Sequence, residues 1–312
     1  IGGIGGIAHY GNTFENCTAT GDVYNTHSTD ASEILEMGGI AGVWHNENGT
    51  TVTMNNVKFE GELHSLTKVS FANAGLVGAK YSSSGTGKLI IDGKEAVITI
   101  AGLKEALKTE TYVKLSQDTT GTATSGGYNK AGFTVAGQTL DGQGHTLTIN
   151  SANGTWDCGI YTNGGTIKNL TLNGSFRGIF TAGLSSDLIV ENVVLDNVCY
   201  TFSADSDVKG TYGVTFKKST LNGWTSYSNM FSNVSFENCN FGQGTGGYKY
   251  AYCRPYNNST FTNCTFSVGY EFDSTEATST LVNCYVGGTL ITEANKVELL
   301  GADAANLVIN NK

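Results

Sequence analysis

The sequence predicts an all-β chain that folds as a right-handed parallel β-helix (a solenoid of strands), with a short capping helix near residues 101–108. Three observations support this fold class. A short Asn-bearing motif recurs along the chain, Gly accounts for 42 of the 312 residues, and Pro occurs once. Pro is disfavoured because an internal strand uses every backbone N–H in its hydrogen-bond ladder. Gly, Asn, Ser and Thr between the motif copies are typical of tight turns.

The recurring motif reads apolar, any residue, Asn, apolar or Cys, any residue, apolar. From Asn169 onward its Asn position recurs every 20 to 26 residues, with Lys218 replacing Asn in one copy. Alternating apolar side chains predict a half-buried strand, and a strand–helix–strand unit would need about 30 residues or more. We therefore expect successive copies to stack as parallel strands about 4.8 Å apart. The copies lie at residues 14–19, 54–59, 167–172, 191–195, 216–221, 236–241, 261–266 and 281–286.

The N-terminal part of the chain has a longer repeat. Its Gly-rich turns place Gly3, Gly39 and Gly75 36 residues apart, and the first copy closes on Thr20-Gly21-Asp22-Val23. With its Gly-Gly-apolar-x-Gly turn and Asn-containing strand, this part resembles the GLUG-type repeats of bacterial surface and adhesin-like proteins. The resemblance implies a β-helical stack and a cell-surface setting for a first domain, residues 1–95.

A helix signal separates the two repeat styles. Leu103, Ala106 and Leu107 lie at i, i+3 and i+4 on one face of residues 101–108, and Lys and Glu occupy the other. A short amphipathic helix at this point would cover the open edge of the first strands. The sequence thus predicts a second domain, residues 96–312, that begins with a cap.

The second domain resembles the pectate-lyase-like superfamily of right-handed parallel β-helices. The resemblance rests on residues 140–147, which contain the D-G-x-G-H element at Asp141 to His145. Members include uronan lyases, polygalacturonase-type hydrolases, phage tailspikes and non-catalytic adhesins. The resemblance therefore implies a fold but does not choose an activity.

Charge and hydropathy exclude several classes of partner. The net charge is −9 and the only arginines are Arg177 and Arg254, so no clustered basic face for nucleic acid is expected. No apolar run approaches the 18 residues of a membrane span. The chain starts with Ile1 inside a Gly-rich repeat, and we expect a signal or anchor upstream of it. An extracellular or cell-surface location is predicted.

Four of the seven cysteines share one repeat position. Cys17, Cys239, Cys264 and Cys284 are expected to point inward as small apolar thiols, and the motif asparagines are expected to form a ladder beside them. The odd number of cysteines and the absence of paired spacings argue against a disulfide framework.

Candidate catalytic residues are few. A polysaccharide lyase would use carboxylates and a base, for which Asp187, Asp205, Asp207 and Lys209 are the candidates. Asp205-Ser206-Asp207 offers alternate oxygens to Ca²⁺, the one cofactor considered, although this pattern is common in solvated loops. The hydrolase pattern of an Asp-Asp pair, G-H-G and R-x-K is absent, and His145 is expected to pack over a turn.

Aromatic residues give the clearest binding signal. Tyr248, Tyr250 and Tyr252 alternate along one extended segment, which aromatic stacking within the solenoid would also explain. Arg254 is expected to contribute to binding or to pair with Glu237 or Glu271. The candidate ligand-binding residues are Trp224, Tyr227, Tyr248, Tyr250, Tyr252, Arg254 and Tyr256.

The predicted function is a non-catalytic, adhesin-like module of the cell surface or of a secreted protein. It would bind a polysaccharide or a host or cell-surface glycan along the solenoid face. The alternatives are a polysaccharide lyase or glycoside hydrolase with a groove between Asp187 and Arg254, and a structural spacer.

Overall fold

The computed structural model describes residues 3–8, 11–24, 38–44, 51–61, 63–64, 77–80, 88–96, 100–116, 118–123, 131–150, 157–204, 211–227, 231–256, 258–273 and 278–312. The chain divides into two compact units. The first comprises residues 1–98 with 114–118, and the second comprises residues 99–113 with 119–312. The described residues are mostly in strands, so the predicted all-β class is confirmed.

The first unit consists of short, mostly parallel strands that pair across a long repeat. Gly5 pairs with Ala41 and Ala41 with Val77, which is the 36-residue spacing that the sequence predicts. A Cβ atom on Gly3 would overlap the carbonyl oxygen of Gly39, so this close approach requires glycine. The strands are β1 (Gly5–Ala8), β2 (Thr13–Glu15), β3 (Thr18–Ala19), β4 (Val23–Tyr24), β5 (Ala41–Trp44), β6 (Thr51–Asn55), β7 (Lys58–Phe59), β8 (Leu63–His64), β9 (Val77–Lys80), β10 (Lys88–Ile91) and β11 (Lys94–Glu95).

The second unit begins with the predicted helix, α1 (Ile100–Thr109). Leu103 and Leu107 are buried on its apolar face, and the helix packs against the strands β13 (Thr119–Thr122) and β14 (Ala131–Asp141) that follow it. Over Gly121 in β13 the Ile100 side chain leaves no room for a Cβ atom. None of the described helices is long and apolar enough to cross a membrane.

The strands of the second unit belong, in the described part of the chain, to one 21-stranded sheet. They are β12 (Tyr112–Lys114), β13 (Thr119–Thr122), β14 (Ala131–Asp141), β15 (Thr146–Asn150), β16 (Cys158–Asn173), β17 (Arg177–Thr181), β18 (Leu188–Asp196), β19 (Tyr200–Ala204), β20 (Val214–Lys217), β21 (Thr220–Asn222), β22 (Trp224–Tyr227), β23 (Val234–Glu237), β24 (Asn240–Gly242), β25 (Tyr252–Pro255), β26 (Ser259–Thr262), β27 (Thr265–Phe266), β28 (Glu271–Phe272), β29 (Thr280–Val282), β30 (Tyr285–Val286), β31 (Thr289–Leu290) and β32 (Val308–Ile309). The α-helix α2 (Lys296–Leu300) and a 3₁₀ helix (Ala302–Asn306) precede β32.

Most strands of this sheet pair in parallel with the corresponding strand of the next motif copy, and β31 pairs antiparallel with β30. Phe216 pairs with Phe236, Phe236 with Phe261, and Phe261 with Leu281. The buried rings stack in the same order, with centroids 5.2 Å apart for Phe216 and Phe236 and 4.7 Å apart for Phe236 and Phe261. The core of the second unit therefore contains continuous rows of side chains from successive repeats.

The motif Asn lies at a corner between two strands. Asn238, for example, has φ 53° and is exposed, while Phe236 before it and Cys239 after it are both buried. The expectation of an interior Asn ladder is therefore wrong, because the left-handed residue turns its own side chain outward. The amides still connect repeats: Asn192 Nδ2 donates to Asn169 Oδ1 at 3.0 Å.

The cysteines do form an interior row in the second unit. Cys239, Cys264 and Cys284 are free and buried, whereas Cys17 is only half-buried. Cys264 Sγ donates to the Phe236 carbonyl at 3.4 Å, and Cys284 Sγ donates to the Phe261 carbonyl at 3.3 Å. Burial raises the pKa of Cys158 and of Cys199 to about 12, which keeps these two thiols protonated.

Candidate ligand-binding surface

Three outward-facing aromatic side chains lie in register on neighbouring strands. Tyr200 on β19 pairs with Trp224 on β22, which pairs with Tyr252 on β25. The ring centroids of Tyr200 and Trp224 are 4.3 Å apart, and those of Trp224 and Tyr252 are 4.5 Å apart. Parallel pairing places equivalent side chains one strand spacing apart, so the rings stack in a row along the repeats.

Phe176 extends the row at one end. It directly precedes β17, and its ring lies 5.7 Å from that of Tyr200. All four side chains are half-buried, so the row lies at the surface of the unit. Together with Tyr248 and Tyr250, described next, these residues form what we call the aromatic surface.

The loop of residues 243–251 brings Tyr248 and Tyr250 to this row. Its Thr245 donates to Asp196 both from the backbone N–H, at 3.2 Å, and from Oγ1, at 2.9 Å. Tyr248 then packs edge-on against Phe176 at 5.8 Å, and Tyr250 lies 5.8 Å from Trp224. The loop therefore reaches back over strands of earlier repeats and builds one wall of the surface.

Tyr250 is the exposed member of the set. Its side chain is 41% exposed, and its ring makes an edge-to-face contact with Tyr252 at 5.8 Å. In the described part of the chain, no acceptor lies within hydrogen-bond distance of the buried indole N–H of Trp224. The surface thus offers the accessible ring of Tyr250 next to the half-buried rings of Trp224 and Tyr252.

Arg254 and Asp273 lie beside the rings. The Arg254 guanidinium is 4.7 Å from the centre of the Trp224 ring, and both its Nε and its Nη2 donate to Asp273 Oδ2, with Nε at 2.9 Å. The expected pairing with Glu237 or Glu271 is wrong. In the parallel pairing of β25 with β28, Glu271 lies opposite Tyr252 and Phe272 lies opposite Cys253. The next residue along, Asp273, is therefore in register with Arg254.

The ionisation of these groups is set by burial and by the ion pair. Burial acts to lower the pKa of Arg254, but the hydrogen bond with Asp273 outweighs it and raises that pKa. Burial raises the pKa of Tyr200 to about 12 and also raises the pKa values of Tyr248 and Tyr252. These phenols are therefore neutral near pH 7 and present hydroxyl groups rather than phenolates.

The structure excludes Tyr227 from the candidate ligand-binding residues. Its side chain is fully buried, and its hydroxyl donates to Ser259 Oγ at 2.8 Å. Side chains alternate along β22, so Trp224 and Tyr227, three positions apart, face opposite sides. Tyr256 follows β25 and is half-buried, and its backbone N–H donates to the Tyr227 carbonyl at 3.0 Å.

The remaining candidate residues are those predicted for catalysis and for calcium binding. Asp187 is exposed, and its Oδ1 accepts the backbone N–H of Gly213 at 2.8 Å. Asp205, Asp207 and Lys209 lie outside the described residues, and so does the calcium site considered at Asp205 and Asp207. Among the residues that are described, no group of three or more His, Cys, Asp or Glu side chains is arranged to hold a metal ion.

Phe176, Tyr200 and Asp273 belong to the surface but are not among the sequence-derived candidates. Their positions relative to the Asn motif vary because the intervening loops differ in length. The signal that could have identified Phe176 and Tyr200 is the strand register. It aligns position 177, directly after Phe176, with Tyr200, Trp224 and Tyr252. Comparison of the chain with protein-family models, curated proteins and solved structures finds no significant match.

Proposed function

We propose that this chain is a right-handed parallel β-helix of a cell-surface or secreted, adhesin-like protein, and that its aromatic surface binds a glycan without turning it over. The parallel pairing of successive motif copies supports a β-helix, since the motif strands β20, β23 and β26 each bond to their counterpart 20 to 25 residues onward. In this fold α1 covers the first strands of the second unit as a cap.

One observation carries the binding proposal: an exposed Tyr250 and a register of outward rings lie directly beside an Arg–Asp pair. A pyranose ring has faces of C–H groups and an edge of hydroxyls. Aromatic rings pack against its faces, and planar polar side chains bond its hydroxyls. Tyr and Trp give this contact at small cost in side-chain entropy. The aromatic surface supplies both kinds of group.

Binding without turnover is favoured over lyase or hydrolase chemistry by the surroundings of the described acids. Near the aromatic surface, Asp196 accepts two hydrogen bonds from Thr245, and Asp273 is paired with Arg254. A catalytic pair needs carboxyl groups placed on both sides of one glycosidic bond. These two carboxylates instead hold a loop and an arginine.

The test combines a glycan array with an assay for unsaturated or reducing-end products. We expect the chain to retain one class of glycan and to release no product. Tyr250→Ala should weaken that binding about tenfold, which corresponds to about 1.4 kcal/mol. Tyr285→Ala is the matched control, since Tyr285 is 39% exposed on β30, and it should bind as the wild type does.

Three results would contradict the proposal. Product formation would favour the lyase or hydrolase. An equal loss of affinity in both variants would show that the glycan does not bind at the aromatic surface. Retention of no glycan at all would favour the spacer.

A further inference from the structure

The charges around the aromatic surface offset one another. Arg254 is paired with Asp273, Lys249 of the loop is exposed, and Glu271, opposite Tyr252, is an exposed carboxylate. The other arginine of the chain, Arg177, is 5% exposed, with its guanidinium 4.2 Å from the Phe180 ring centre. With a net charge of −9 for the whole chain, the surface has no excess of positive charge.

The Arg254–Asp273 pair retains hydrogen-bonding groups for a ligand. Both hydrogen bonds from Arg254 to Asp273 go to Oδ2. Among the described residues, neither Nη1 of Arg254 nor Oδ1 of Asp273 makes another hydrogen bond, and the two side chains are 31% and 45% exposed. The donor on Arg254 and the acceptor on Asp273 can bond two hydroxyls of one sugar, one of which accepts while the other donates.

We infer that the glycan bound at the aromatic surface is neutral, with one ring against Tyr250 and Tyr252 and two hydroxyls on Arg254 and Asp273. This inference rests on the proposed function and adds the substrate class. A uronate or a sulfated sugar would bring its negative charge next to Asp273 and Glu271, while the Arg254 guanidinium is already paired with Asp273 and Arg177 is buried.

The experiment compares glycans that share a backbone and differ in charge. One pair is polygalacturonate and its fully methyl-esterified form, and the other is a β-glucan and its derivative oxidised to the carboxylate at C6. We expect the wild-type chain to bind the neutral member of a pair at least about tenfold more tightly, with little dependence on salt. Tighter binding of the acidic member would overturn the inference and leave the proposed function standing.

A charge variant tests the pair itself. Asp273→Asn leaves Arg254 without its carboxylate, so binding of the acidic member should rise severalfold and the preference for the neutral member should shrink or reverse. Glu237→Gln changes the net charge by the same amount, at a carboxylate of similar exposure that pairs with Lys217. It should leave the preference unchanged. Equal shifts in the two variants would assign the preference to net charge and overturn the role of the pair. Retention of no member of either pair would overturn the proposed function together with this inference.

Discussion

At the scale of single residues, the motif Asn is explained by backbone conformation. Asn169, Asn192, Asn238, Asn263 and Asn283 all have φ between 51° and 54°. This left-handed region costs most side chains about 1–2 kcal/mol, whereas Asn enters it readily because its short amide bonds to nearby groups. The position also shifts the alternation of the strand by one residue, so that the side chain after the Asn points inward. The Asn in the motif is a corner residue, and the Cys that follows it is a core residue.

Lys218 occupies the same corner with φ 49°, without the advantage of an amide. Its ion pair with Glu191 is 3.8 Å long between side chains that are 68% and 41% exposed, so it contributes little. We expect Lys218→Asn to raise the free energy of unfolding by about 0.5–1 kcal/mol, measured by urea denaturation. Lys217→Asn, one residue earlier in the extended strand β20, is the control. A gain there as large as the gain at 218 would contradict the conformational explanation.

Asp141 gives the second unit an acid-sensitive contact. Burial alone would raise its pKa, but hydrogen bonds from Tyr112, Asn169 and Gln143 outweigh burial and lower the pKa from 3.8 to about 2. The Tyr112 hydroxyl donates to Oδ2 at 2.6 Å, and Asn169 Nδ2 donates to Oδ1 at 3.0 Å. The Asp of the D-G-x-G-H element therefore holds a turn and an adjacent corner.

A carboxyl group whose pKa is lower in the folded chain than in the unfolded chain stabilises the fold at pH values above its pKa in the unfolded chain. Asp141 should thus contribute about 2 kcal/mol above about pH 5, and this contribution should disappear as the pH falls through 4 toward 2. We expect Asp141→Asn to lower the free energy of unfolding at pH 6 and to differ less from the wild type at pH 2.5, by urea denaturation at both values. A difference that stays constant with pH would show that the charge of Asp141 is not the cause.

At the scale of elements, strand parity decides which aromatic residues reach the surface. Along β22, Trp224 faces outward and Tyr227 faces the core, and along β25, Tyr252 and Arg254 face outward while Cys253 is buried. A sequence segment rich in aromatic residues is therefore divided between two environments. The alternation of β25 is enough to predict that Tyr252 and Arg254 face outward. To predict that Tyr227 is buried, the residue at which β22 starts must also be known.

The loop of residues 243–251 is the element that completes the surface. Thr245→Val removes the hydroxyl bond to Asp196 and retains the side-chain shape and the backbone bond. We expect this variant to fold with a stability within about 1 kcal/mol of the wild type and to bind the glycan severalfold more weakly, because Tyr248 and Tyr250 lose their fixed positions. Titration calorimetry measures the affinity, and denaturation measures the stability. Thr265→Val, at an exposed position of β27, is the control. Unchanged affinity at 245 would show that the loop does not hold the binding residues.

At the scale of the whole molecule, neighbouring repeats contact each other through rows of like positions. One outward row of the second unit alternates in charge: Lys168, Glu191, Lys217 and Glu237 pair in register along β16, β18, β20 and β23. Lys217 and Glu237 lie 3.7 Å apart. The buried residues that directly precede the four charged residues form a row of Ile167, Val190, Phe216 and Phe236. A one-residue shift in register would place Lys217 opposite Phe236 or Asn238 instead of Glu237 and would turn core residues outward, so both rows favour the observed alignment.

The all-β class, the parallel repeat and the position of α1 can be predicted from the sequence, because each follows from periodicity within a short window. The sequence also marked residues 248–254 as the region of interest. Tertiary structure alone decided that the motif Asn is a corner, that Tyr227 is buried, that Arg254 pairs with Asp273, and that Phe176 and Tyr200 join Trp224. These outcomes depend on the register between strands and on the path of a loop between repeats. Loops of unequal length bring residues far apart in the chain together, and local composition does not encode which of them meet.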